Sequence, residues 1–240
     1  FHTVEALRFF KDGLKRNGID GEGLGVSVVV HDNSARNAYG MNACFRGERP
    51  PMWSALKLAG ARLSLPEIHI GDGGGDWLPF SAAYDVLAHE LGHGIIGYSS
   101  QLVYEGESGA LDEAFADVIA VSAKEWSHLR GQPSSFIIGE KMMWSGRGGL
   151  RDMENPTVYR DPDHTSIASR CKPGEAPDQK KNDHCYVHSN SGIGNKAFSL
   201  MVKGGTHYGF GIPKAIGWEP SRMIWSRALT PVGSRATFLQ

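Results

Sequence analysis

Two histidines four residues apart, His89 and His93, enclose a glutamate in the run His89-Glu90-Leu91-Gly92-His93, inside a segment of helical periodicity from Ala82 to Ile96. On a helix such residues lie one turn above each other on one face, so both imidazoles can reach a single ion at about 2.0–2.1 Å. The fold must then bring a third ligand to that face. The same spacing also occurs in helices that carry His and Glu as ordinary surface residues, and the rest of the chain decides between the two readings. Glu113 follows His93 by twenty residues, in GALDEAFAD, on a second helical run from Gly109 to Trp126 with Leu111, Phe115, Val118, Ile119 and Ser122 along one side. Solvated surface is a poor explanation for a glutamate in so apolar a stretch. It completes the His/His/Glu set of a catalytic zinc site, which keeps one position open for water.

Zinc in such a set lowers the pKa of its bound water to roughly 7 and polarises a carbonyl under attack. Glu90, adjacent to a ligand, is the natural base to take the water's proton and pass it to a leaving amine. Ligating imidazoles usually donate their second N–H to a carboxylate or carbonyl. Asp117, one turn after Glu113, is the candidate for that role, the alternative being a helix-surface acid.

A length of 240 residues, 40% hydrophobic, suffices for a proper core in one unit or two lobes. The formal net charge of -1 is spread along the chain, which leaves no footprint for nucleic acid or an anionic membrane. No apolar stretch approaches the roughly 18 to 20 residues that span a bilayer. The chain starts at Phe1 without a Met or an apolar leader, as a processed or trimmed terminus would. Cys44, Cys171 and Cys185 fit neither a disulfide scaffold nor a clustered metal site, so the zinc ligands are of other types. Cys171 and Cys185 bracket the polar loop KPGEAPDQKKND. They form either a disulfide closing it, in an extracellular protein, or two reduced thiols, with Cys44 the odd one out.

Val4, Leu7, Phe10 and Leu14 make one apolar helix stripe that Asn17 and Gly18 stop, while GVSVVVH (25–31) and EIHI (67–70) read as strands and GDGGGD (71–76) as a turn. Beyond Gly131, loops rich in Gly, Pro and Asp alternate with helical patterns at about 190–203 and 219–228. Strands first and helices later predict an α+β protein with a cleft between a strand-bearing lobe and a mainly helical one.

With these residues in hand, the sequence resembles the thermolysin family of zinc metalloendopeptidases over nearly its whole length. DVLAHELGHGIIGYSSQLVYEGESGALDEAFADV (85–118) matches the family's metal-binding block almost position for position, and LRDMENP (150–156), YRDPDH (159–164), HSNSGIGNKAF (188–198) and GGTHYG (204–209) follow in the family's order. The resemblance implies a two-lobed fold, residues 1–96 ending in the His89–His93 helix and residues 97–240 mainly helical, with the active-site cleft between them. It implies one zinc per chain on His89, His93 and Glu113, with Asp117 and Asp112 behind the ligands. Asn42 and Ala43, in GMNACF, match the edge segment that hydrogen-bonds the substrate backbone. Tyr104 and His188 match the donors that stabilise the tetrahedral oxyanion, Asp183 the acid that orients His188 and favours its charged form, and Arg151 the arginine on the carbonyl of the substrate residue just after the cut. Trp77, Phe80, Val86, Ile138 and Leu150 match the hydrophobic pocket for that residue, so cleavage is expected before Leu, Ile, Val or Phe. Phe45 stands where the family usually carries a bulkier aromatic. Family members are generally secreted as zymogens, so a propeptide or inhibitor is an expected partner besides a peptide substrate. A monomer with no nucleic-acid or membrane partner is expected.

The chain also departs from the family. It carries Asp112 for Asn and Ala116 for Ser, begins inside the N-terminal lobe and stops before the expected last helices. At the calcium-pair site behind the zinc helix only Asp85 and Glu140 of about five carboxylates remain, with Lys124, Ser135 and Ile137 at the others. Calcium wants six to eight oxygen ligands, several of them charged, so calcium binding is expected to be weak or absent, with the Lys124 ammonium between Asp85 and Glu140. A second calcium site is weakened by Gly148 in place of an aspartate and by a neighbouring loop about two residues shorter. Related zinc aminopeptidases also carry HExxH and a downstream Glu, but GMNACF lacks the glutamate that would bind a free amine. A non-catalytic zinc protein would lack Glu90 or an oxyanion donor, and here all are present.

Overall fold

A computed structural model describes residues 1–34, 41–47, 65–128, 135–140, 142–144, 148–212 and 214–238. The chain opens with α1 (His2–Arg8), which runs into a π-helical turn over Phe9–Gly13. Of the predicted stripe, Phe10 and Leu14 are buried and Leu7 packs on the core, whereas Val4 is exposed and Ala6 and Phe9 are buried beside them. Three short strands follow, β1 (Ser27–Val30), β2 (Ala43–Arg46) and β3 (Glu67–Ile70). They form a mixed sheet in the order β1-β3-β2, with β1 parallel and β2 antiparallel to the central β3. The outer strand β2 borders the cleft described below.

Two helices come next, α2 (Tyr84–Gly97) and α3 (Gly106–His128), close to the predicted bounds. Phe115, Ala116 and Ile119 of α3 join a core with Leu87, Ala88, Leu91, Ile95 and Ile96 of α2 and with Phe9 and Phe10. Val118, Ala120 and Val121 join a second core with Ile138, Met153, Phe198 and Val202. A helix buried on both sides must be apolar nearly all round, which is why Glu113 stood out in the sequence. Two glycines permit its close packing. A Cβ on Gly92 would lie 3.0 Å from the Ala116 Cα, and one on Gly194 would lie 2.6 Å from the Ala114 Cβ.

Beyond α3 the loop-rich part contains two pairings that the loop-like sequence hides: β4 (Ile137–Ile138) with β5 (Arg151–Asp152), in the register Ile138↔Arg151, followed further on by the hairpin of β6 (Gly205–His207) and β7 (Phe210–Ile212). Between these pairs lies the helical stretch α4 (Gln179–Lys203), and α5 (Trp218–Ala228) comes last. The result is α+β, as expected, with the three-stranded sheet ahead of α2 to α5 and two short strand pairs among the later helices. Among the described residues no helix is long and apolar enough to cross a membrane.

Cys171 and Cys185 form a disulfide across 14 residues of sequence, which resolves the alternative left open by the sequence. Cys185 sits in a run from Asp183 to Tyr186 whose φ angles, 50, 50, 68 and 65°, are all left-handed. Such conformations cost a non-glycine residue about 1–2 kcal/mol each. The turn persists because its surroundings impose it.

Behind α2, the Lys124 ammonium donates to the Ile137 carbonyl and lies 3.4 Å from Asp85 Oδ2 and 3.7 Å from Glu140 Oε2. The same Asp85 carboxylate accepts from the backbone N–H groups of Val86 and Gly139 at 3.0 and 2.9 Å. A cation from the chain thus stands between the two acids. Gly148 is described, with φ 73°, whereas the loop before it, expected to be shortened, lies outside the described residues. We predict a thermal midpoint that does not rise when millimolar calcium is added at fixed free zinc. A ligand bound only by the folded state must raise it, so a clear calcium-dependent rise contradicts this reading of Lys124.

Candidate metal centre and active-site cleft

His89, His93 and Glu113 meet where α2 crosses α3, each offering a ligand atom within 4.8 Å of the others. The two Nε2 atoms are 3.0 Å apart, His89 Nε2 is 3.4 Å from Glu113 Oε2, and His93 Nε2 is 3.5 Å from Glu113 Oε1. Tetrahedral ligands at 2.0–2.1 Å from zinc are separated by about 3.3 Å, so the three side chains fit the ion that the sequence suggests. The electrostatics point the same way. Asp112, Glu113 and Asp117 are all buried on one helix, and Glu113 Oε2 is buried without a hydrogen-bond partner among the described residues. Burying that much negative charge is costly unless cations compensate it.

The far nitrogens of both imidazoles face carboxylates. His93 Nδ1 donates to Asp112 Oδ1 at 2.6 Å, so the departure from Asn noted above brings a full charge against this histidine. His89 Nδ1 lies 2.9 Å from Asp117 Oδ1, a close contact without the alignment of a hydrogen bond. Asp117 is held by more than His89. Arg151 grips it with two parallel bonds, Nε to Oδ2 and Nη2 to Oδ1, both 2.7 Å, and Asn195 Nδ2 adds a third at 2.8 Å. Burial alone would push the Asp117 carboxyl up, yet Arg151 first and then His89 keep it below the usual carboxylate range. Burial likewise opposes ionisation of Glu113, and the charges of His188 and His93 and the close approach of His89 outweigh it, holding its carboxyl well below normal.

A cleft of about 690 Å³ opens over this centre. Its walls include Glu90, Tyr104, His188, Asn42, Ala43, Arg151 and Asp112 together with Trp77, Phe80, Val86, Ile138 and Leu150. Every residue that the sequence suggested for the metal, the oxyanion or the substrate therefore lines the cleft, and Asp183 and Asp117 stand one contact behind it. The β4–β5 pair explains part of this convergence. Its register sets Ile138 beside Arg151, and Leu150 N–H donates to the Ile138 carbonyl at 2.7 Å, so the apolar wall and the guanidinium are one unit. Trp77 and Phe80 stack with centroids 6.4 Å apart. Phe45 also lines the cleft and packs against Gly94 of α2.

Tyr104 and His188 both reach Glu113 Oε1, His188 Nε2 at 3.4 Å. The Tyr104 hydroxyl donates to Glu113 Oε1 and lies 3.3 Å from His188 Nε2. Burial first, then the charge of Glu113, raises the Tyr104 phenol far above its ordinary value, so it stays a neutral hydroxyl with a proton to donate. Asp183 grips His188 twice, accepting from Nδ1 at 2.7 Å and from the backbone N–H at 3.0 Å. The charge of Glu113 raises the His188 imidazolium above the usual histidine range, desolvation opposes this, and the Asp183 hydrogen bond adds to the rise.

Three supporting residues escaped the sequence reading. Asn195 is seven residues from His188 on α4, a spacing that places both on one helix face and offers a signal that could have found it. Asp161, whose carboxyl burial pushes up to about 6 against the pull of Arg151, carries no such signal. The His184 ring meets Tyr104 edge-on at 5.5 Å only because the backbone there is left-handed.

The Asp183–His188 contact predicts a pH effect. An imidazolium that must be charged serves below its pKa and fails as pH rises through it. Replacing Asp183 by Asn removes an opposing charge and lowers that pKa, so the basic limb of the kcat profile should move to lower pH by roughly one unit. A fall in kcat with an unmoved limb would count against this role.

These observations converge with comparisons to known proteins. A family model described as the thermolysin metallopeptidase, alpha-helical domain, matches residues 100–240. Bacillolysin of Brevibacillus brevis is 33% identical over 232 residues, covering 95% of this chain and 36% of that protein. Thermolysin of Alicyclobacillus acidocaldarius subsp. acidocaldarius is 33% identical over 224 residues, covering 92% and 35%. Among solved structures, the precursor of protealysin, a metalloproteinase from Serratia proteamaculans, matches with a TM-score of 0.71 and 27% identity, over 99% of this chain and 66% of that one. The chain spans only 36% and 35% of the length of the two curated relatives named here. It belongs to the thermolysin metallopeptidase family.

Proposed function

We propose that the chain is a zinc endopeptidase that cuts peptide bonds on the N-terminal side of hydrophobic residues. The observation that carries this reading is the convergence of His89, His93 and Glu113 under a cleft that also holds Glu90, Tyr104 and His188. Zinc held by the first three supplies an activated water and polarises the scissile carbonyl. The protein's own groups do the rest. Glu90 takes a proton from the attacking water and hands it to the leaving amine. Tyr104 and His188, one a neutral donor and the other an imidazolium steadied by Asp183, face the negative charge that develops on the carbonyl oxygen. Preorganised donors of this kind are worth roughly 3–4 kcal/mol each. Asn42 and Ala43, at the outer strand, hold the substrate backbone in extended form.

Arg151 has a double role in this scheme. It binds the carbonyl of the residue after the cut while its pair with Asp117 keeps the metal side of the site rigid. Trp77, Phe80, Val86, Ile138 and Leu150 receive that residue's side chain, which excludes charge and favours Leu, Ile, Val or Phe. The lobes 1–96 and 97–240 form the two walls. A zymogen with a propeptide or inhibitor, which the protealysin precursor neighbour supports, belongs to the same reading, as do secretion and a monomeric active form.

A peptide blocked at both ends separates this activity from that of an aminopeptidase, which needs a free amine. We predict internal cleavage before Leu, Ile, Val or Phe, located by mass spectrometry. Glu90→Gln should keep about one zinc per chain while losing several orders of magnitude in kcat/KM. Uncut blocked peptide, cuts before charged residues, or substantial turnover by zinc-loaded Glu90→Gln would each contradict the proposal.

A further inference from the structure

The turn Asp183-His184-Cys185-Tyr186 contains no glycine, yet all four residues are left-handed. In that conformation each Cβ crowds the following carbonyl, and only glycine adopts it freely. The turn nevertheless carries two contacts of the site. Asp183 binds His188 through both carboxylate oxygens, and the His184 ring braces Tyr104 edge-on. One short strained segment therefore sets both groups assigned to the oxyanion.

What holds the segment in place is anchored on the same helix that carries His188. Cys185 is bonded to Cys171, and Ser169, two residues before Cys171, is tied by its backbone N–H and carbonyl to the Asn190 side chain at 2.9 and 2.8 Å. Asn190 is buried on the regular part of α4. On the other side, the buried Asn182 accepts from the Cys185 N–H at 3.1 Å and the Asp178 N–H at 2.8 Å. The covalent clamp thus falls inside the strained turn and leads back to the rigid frame of the site.

We propose that the Cys171–Cys185 disulfide is a positioning element of the active site: it holds a glycine-free left-handed turn so that Asp183 and His184 keep His188 and Tyr104 in place. The proposal rests on the roles given to those two donors above. It makes the disulfide stand in for glycine, which yields a sharp test. In Cys171→Ser/Cys185→Ser the strain is unopposed. In Cys171→Ser/Cys185→Gly one left-handed residue adopts its conformation without cost.

The full-length protein and both double variants are compared for zinc content, for kcat and KM on a blocked peptide, and for hydrogen exchange across residues 183–188. The serine pair should lose about ten-fold to about a hundred-fold in kcat, with KM and zinc content unchanged, and should exchange faster at the Cys185 and His188 amides. The glycine variant should recover most of both losses. If the serine pair does not fold, a glycine variant that folds with near-normal kcat and protection supports the proposal. A serine pair with wild-type kcat and protection overturns it, as does a glycine variant no better than the serine pair. The exchange readout decides the turn's role independently of catalysis, so a wild type that cuts nothing refutes the endopeptidase reading alone.

Discussion

Asp117, a carboxylate with no solvent exposure, receives two hydrogen bonds from Arg151 and one from Asn195 and faces His89 at 2.9 Å. Its partners come from α2, from β5 and from α4, so the buried charge joins the elements that build the site. A charge in such a place must be fully satisfied, and removing one partner costs several kcal/mol in comparable buried pairs. The position of Arg151 in the cleft, the orientation of His89 and the docking of α4 on α3 are therefore coupled. Shifting any one of them would leave Asp117 short of a partner.

The same economy appears around Lys124, whose ammonium lies 3.4 Å from Asp85 and 3.7 Å from Glu140 and so sets a cation of the chain between two acids. It appears again at Cys185, where a covalent bond rather than glycine sustains a left-handed turn. In both places a conformation that an ion or a flexible residue could support is held instead by a specific side chain of this sequence. The metal centre cannot be treated that way. Asp112, Glu113 and Asp117 are buried within two turns of one helix, and besides Arg151 it is the imidazoles of His89, His93 and His188 that face them.

The centre was legible because its chemistry needs fixed spacings. His89 and His93 are one helical turn apart, and Glu113 is a lone acid in an apolar run, both visible without any structure. The helices α2 and α3 were legible for the same reason, being long and periodic. Less could be read where geometry comes from non-local pairing. Ile137–Ile138 and Arg151–Asp152 are too short to show a strand pattern, and only their mutual pairing makes them strands. The apolar stripe held at Leu7, Phe10 and Leu14 but not at Val4, and neither the π-turn at Phe9–Gly13 nor the burial of Phe9 was visible in it. Nothing in Asp183-His184-Cys185-Tyr186 announces a left-handed turn, since its cause lies in a bond to Cys171.

Two imidazoles and one carboxylate placed in this way should hold a single zinc and leave it open to water, which X-ray absorption at the zinc edge of the purified full-length protein can check. We predict about one zinc per chain, with a nearest shell of nitrogen and oxygen only at about 2.0–2.1 Å that includes two imidazoles. A sulfur neighbour at about 2.3 Å, or a chain that takes up no stoichiometric zinc, would contradict it.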